Sequence, residues 1–84
     1  MRIQISPELI AELRKIKAQD KSLAERMEKQ LNLFQQDPRY PSLRTHKLSG
    51  GQKESWSISI TKSIRMVYTV LEDKTAYFFD LGTH

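Results

Sequence analysis

The run from Glu54 to Leu71 constrains the fold more than any other part of this chain. Trp56, Ile58 and Ile60 alternate with polar residues from Glu54 to Ile60, the period-two pattern of a strand with one buried face. Ile64 to Leu71 is rich in β-branched and aromatic residues, which fit a pleated, packed surface. Thr61-Lys62-Ser63 is a short polar link, so the two runs are expected to pair as an antiparallel hairpin. Arg65 interrupts the apolar second run. An arginine there needs its head in water or against an anion.

Helical signals precede the hairpin. Ile3 and Ile5 suggest a short first strand. Ser6-Pro7-Glu8 supplies a helix cap, a proline at the first helical position and a carboxylate near the positive dipole end. Leu9, Ile10, Leu13 and Ile16 follow at helical spacing, opposite Glu12, Arg14, Lys15 and Lys17. Ser22-Leu23-Ala24-Glu25 has the form of a capping box opening a second helix. Ala24, Met27, Leu31 and Phe34 form its apolar stripe, flanked by Leu23 and Leu33, and Pro38 should end it near Gln36.

Asp37 to Lys53 reads as irregular, with Pro38, Pro41, Gly50 and Gly51. After the hairpin, a turn at Glu72-Asp73-Lys74 leads to a last strand from Thr75 to Leu81. This strand is apolar enough to be buried on both faces or central in the sheet. The predicted order is β-α-α-β-β-β in one domain over residues 1–84. It is an α+β two-layer arrangement: an N-terminal strand joining the sheet edge, an antiparallel helical hairpin, and a C-terminal antiparallel sheet.

Composition narrows the function. The chain has no cysteine, which excludes disulfides and thiolate chemistry. Two histidines without metal-ligand spacing predict no metal site and no cofactor. No apolar run reaches the roughly 18 residues of a membrane span, and no signal-peptide core is visible, so a cytoplasmic protein is expected. The net charge is +4, but from Arg39 to Arg65 six basic residues face one acidic residue, Glu54, while the rest of the chain is close to balanced. Such a cluster suggests an anionic partner, nucleic acid first, although a solvated basic loop has the same composition.

The residues Leu43 to Leu48, Leu48-Ser49-Gly50 before Trp56, Ile64-Arg65-Met66-Val67-Tyr68-Thr69-Val70, and Phe79 to His84 together resemble the RelE/ParE superfamily of bacterial type II toxins, in particular RelE-, YoeB- and YafQ-like mRNA interferases. The resemblance covers essentially the whole chain. The loop from Gly51 to Ser55 is longer than in compact members, and many relatives run several residues beyond the position of His84. The resemblance implies a toxin that cleaves mRNA in the ribosome, with the substrate's 2′-hydroxyl as nucleophile and no metal. It places Arg65 at the recurring catalytic arginine and His84 at the acid–base position, and sets His46 and Lys47 in a variable loop.

That reaction needs proton transfer, which histidine suits, and phosphate binding, which arginine suits. Arg44, Lys47, Lys53 and Lys62 would bind backbone phosphates. Trp56 and Tyr68 read as packing residues. A cognate antitoxin, acidic where it touches the basic face and helices, is the implied protein partner. Three alternatives stay open: Arg65 as a structural bridge to Asp80 or Glu54, a ParE-like gyrase inhibitor without chemistry, and a basic RNA-binding module that is not an enzyme.

Overall fold

A computed structural model of the chain describes residues 1–48 and 54–83. The elements are β1 (Ile3–Ile5), α1 (Pro7–Gln19), α2 (Lys21–Gln36), a 3-10 turn (Pro41–Leu43), β2 (His46–Leu48), β3 (Ser55–Ser59), β4 (Ile64–Val70) and β5 (Ala76–Thr83). The expected hairpin is β3–β4. Its register sets Trp56 opposite Tyr68 and Ile58 opposite Met66, and facing residues of an antiparallel pair share a side. That shared side, extended by Ile60 and Ile64, lies against the helices. The link is held by Thr61, whose Oγ1 accepts the N–H groups of Ser63 (3.2 Å) and Ile64 (3.1 Å).

The five strands run in the order β1-β5-β4-β3-β2. β1 joins the edge as expected, parallel to β5, while the other pairings are antiparallel. The sheet is therefore mixed.

The helices cover one face only. Leu9, Leu13 and Ile16 of α1 turn inward, whereas Ile10, one helical step round, is 38% exposed. On α2, Met27, Leu31 and Phe34 are buried. The Phe34 ring meets Tyr68 and Phe78 edge-on, at centroid distances of 5.0 and 5.2 Å. Such pairs add about 0.5–1.5 kcal/mol each beyond area burial. Buried Gln30 is satisfied because its Nε2 donates to the carbonyls of Ser59 (2.8 Å) and Ser42 (3.3 Å), and Arg26 Nε donates to the carbonyl of Ile60 (2.9 Å). These contacts fix α2 against the end of β3.

Ser6 caps α1 as expected, accepting the Leu9 N–H at 3.1 Å. The second helix starts differently from the capping-box expectation. Its cap is Asp20, whose carboxylate accepts the Leu23 N–H (3.0 Å) while its own N–H closes α1 on the Ile16 carbonyl (2.7 Å). One residue serves both helix ends, so Ser22 falls inside the first turn.

Two strand expectations are corrected. The stretch 37–53, read as irregular, contains β2, a three-residue strand created by pairing with β3 rather than by its own apolar pattern. β5 is interior in the sheet, between β1 and β4, but it is not buried on both faces. Ala76 and Phe78 are buried, but Phe79 is 40% exposed and Asp80 is exposed, because no helix among the described residues covers the second face. The register jumps from Tyr68–Phe78 to Val67–Asp80, which leaves Phe79 as a bulged residue.

Candidate functional site

Arg65 stands on the uncovered face of β4, flanked by Ser59 on β3 and Gly82 on β5. The same register brings Ser57, Val67 and Asp80 to this face, and His46 with them, since it pairs with Ser57. His46 is exposed. A Cβ built on Gly82 would meet nothing within 4 Å, so the floor beside the arginine is open.

The guanidinium is tethered along one edge. Its Nε donates to Ser57 Oγ at 2.7 Å, and its Nη2 donates to the Ser57 carbonyl at 3.0 Å and to the Arg44 carbonyl. All three acceptors are neutral. Nη1 makes no hydrogen bond to any described residue. Ser57 is only 2% exposed although it sits at a polar position of the alternation, because Arg65 lies across it. Arg44 adopts a left-handed backbone, φ 44°, ψ 54°, at the end of the 3-10 turn. That conformation costs an L-residue about 1–2 kcal/mol, and its carbonyl is among the groups that hold Arg65.

Partial burial lowers the Arg65 pKa from its ordinary value, and the Arg44 charge lowers it further. The group stays cationic near neutrality. Both causes disfavour the charged form, and a nearby anion would act the other way.

The structural-bridge alternative for Arg65 is not realised. The ion pairs among the described residues are Arg2–Asp73 (3.3 Å) and Lys47–Glu54 (3.1 Å), and Asp80 accepts the Leu81 N–H instead (2.9 Å). Glu54 thus engages Lys47 rather than Arg65.

The structure divides the expected phosphate-binding set. Arg44 is adjacent to Arg65 through its carbonyl. Lys47 pairs with Trp56 in the register and so belongs to the helix-side face, away from Arg65. Lys62 is exposed in the β3–β4 link. Lys53, His84, the Ser49-Gly50 step and loop residues 51–53 lie outside the described residues. Trp56 and Tyr68 pack as expected, stacked at 5.9 Å. Ser57 was not legible as a site residue, since a serine at a polar position of an alternating strand reads as solvated.

No family model matches the sequence, and no curated protein matches it. The fold recurs among solved structures. The YoeB/ParE toxin from Agrobacterium tumefaciens is similar with a TM-score of 0.81 at 18% identity, over 100% of this chain and 99% of that one. The YoeB-YefM toxin-antitoxin heterotetramer from Staphylococcus aureus gives 0.77 at 21% identity, over 100% and 99%. The archaeal RelE-RelB complex from Pyrococcus horikoshii gives 0.75 at 18% identity, over 98% and 92%. The chain has a RelE/YoeB/YafQ-like toxin fold.

Proposed function

We propose that this chain is the toxin of a bacterial type II toxin–antitoxin system and that it cleaves messenger RNA. The observation that carries this reading is the Arg65 guanidinium, held on an open sheet face by neutral acceptors, with one amine making no hydrogen bond to any described residue. A guanidinium fixed by a carboxylate would already be neutralised. This one is available to a phosphate, which its planar fork suits.

In the proposed reaction the ribose 2′-oxygen attacks the adjacent phosphorus and the bond to the 5′-oxygen breaks. The products are a 2′,3′-cyclic phosphate and a free 5′-hydroxyl. Arg65 offsets the charge that gathers on the phosphate oxygens, a role worth about 10²–10³ in rate. His46, on the same face, is assigned one proton transfer, and His84 the other on the strength of the family resemblance. Each such transfer contributes about 10²–10⁴. Arg44 adds positive potential, and Lys53 and Lys62 are assigned to flanking phosphates. Lys47, paired with Glu54 on the other face, contributes least.

The toxin reading brings a small antitoxin as partner, by analogy with the YoeB-YefM and RelE-RelB assemblies. It also brings ribosome-bound mRNA as substrate and the cytoplasm as location. Among the described residues no helix is long and apolar enough to cross a membrane.

Primer extension on transcripts after induction of the wild-type chain and of Arg65→Ala tests the reading. Discrete mRNA cuts are expected with the wild type and not with the variant. Intact transcripts accompanied by DNA damage would overturn it in favour of a gyrase inhibitor.

A further inference from the structure

The uncovered sheet face carries more than charge. Tyr77 and Phe79 on β5 are stacked side by side, with ring centroids 6.5 Å apart and planes 19° from parallel. Neither ring belongs to the hydrophobic core. Phe79 is 40% exposed and Tyr77 is half-buried. The bulge at Phe79 explains how the strand affords this: the extra residue lets Phe78 and Leu81 both serve the core while Phe79 and Asp80 both turn outward.

Tyr77 pairs with Thr69 on β4, four residues from Arg65 along the same face, about 13 Å at strand spacing. A pair of near-parallel aromatic rings at one end and a cation held by neutral acceptors at the other match the two parts of a single nucleic-acid strand. Asp80 lies between them on that face. Its carboxylate repels phosphate from the middle, so backbone is directed to the arginine end and bases to the aromatic end.

We propose that Tyr77 and Phe79 form a stacking platform for the bases of single-stranded RNA whose phosphate is held at Arg65. Stacking on aromatic rings tolerates any base, because every base has a π-face. The platform therefore supplies affinity and orientation without sequence readout. The proposal rests on the RNA reading of the Arg65 site and extends it to a second, separate contact. A peptide partner is the competing occupant.

The test is titration of a single-stranded oligoribonucleotide carrying an aminopurine fluorophore with the wild-type chain, Tyr77→Leu, Phe79→Leu and Phe79→Tyr. Circular dichroism checks each fold. Leucine keeps apolar bulk but has no π-face. Each leucine variant is expected to weaken binding about 5- to 100-fold and to relieve aminopurine quenching, whereas Phe79→Tyr retains both. An abasic oligomer of equal charge should bind the wild type and Phe79→Leu alike.

Wild-type affinity in both leucine variants would overturn the platform. If that affinity still fell with Arg44→Ala, the RNA reading would stand without it. A peptide-docking surface predicts the same unaltered RNA affinity and so counts against the platform. Absence of RNA binding by the wild type would sink both.

Discussion

At the scale of single residues, the site depends on how Arg65 is aimed. A free arginine samples many rotamers, and holding it in one costs up to about 2 kcal/mol of side-chain entropy. Ser57 and Arg44 hold it through three acceptors, two of which are backbone carbonyls. Ser57→Ala removes only the hydroxyl. Stability is expected to fall by about 1 kcal/mol in urea unfolding, and single-turnover RNA cleavage to slow roughly tenfold, equivalent to about 1.4 kcal/mol. Arg65→Lys keeps the charge but loses the planar fork. It should cut the cleavage rate by about 10² or more, the loss expected for one charge-stabilising donor, with the urea midpoint little changed. A cleavage rate in Ser57→Ala equal to wild type would show that the backbone carbonyls alone aim the guanidinium.

At the scale of elements, the β4–β5 turn stores strain and titrates. Leu71 and Thr75 close it, with the Thr75 carbonyl accepting the Leu71 N–H and the Leu71 carbonyl accepting the Lys74 N–H, both at 2.9 Å, and Lys74 sits at φ 67°. Glycine adopts that conformation without steric cost, though its unfolded chain is freer. Lys74→Gly should raise stability by about 0.5–1 kcal/mol, read as a higher urea midpoint at constant slope. In the same turn Asp73 Oδ1 accepts the Thr75 N–H (3.0 Å). That bond, helped by Arg2, lowers the carboxyl pKa below its ordinary 3.8. A lowered folded-state pKa stabilises above the unfolded value and ceases to do so as pH falls through the folded one. The melting-temperature gap between wild type and Asp73→Ala should therefore be open at pH 6 and close as the pH falls below the ordinary carboxyl value of 3.8. The turn was legible because glutamate, aspartate and lysine interrupt two apolar runs. The cap of α2 was misplaced because Ser22 and Glu25 fit a spacing rule, while Asp20 wins by serving two helix ends at once. The bulge at Phe79 was not legible, since only the partner strand reveals an extra residue.

At the scale of the molecule, charge must be counted by face rather than by segment. The sequence gathers six basic residues between Arg39 and Arg65, which invites a picture of one basic surface. A strand sends neighbouring side chains to opposite sides. In β2 this places His46 with Arg65 and Lys47 with Trp56. Three residues of β2 carry no periodic pattern of their own, so this division required the pairing with β3. The hairpin, by contrast, was readable down to Arg65, because its alternation already separated the two faces. The division has a measurable consequence. Each phosphate neutralised on single-stranded RNA contributes about −0.7 to the slope of log affinity against log salt. Arg44→Ala should reduce the magnitude of that slope by about 0.7 and weaken binding at low salt. Lys47→Ala, which removes the same charge from the other face and breaks only an exposed pair with Glu54, should leave the slope unaltered. Equal effects from the two substitutions would mean that RNA responds to net charge alone, and that the open face of the sheet does not select where the strand lies.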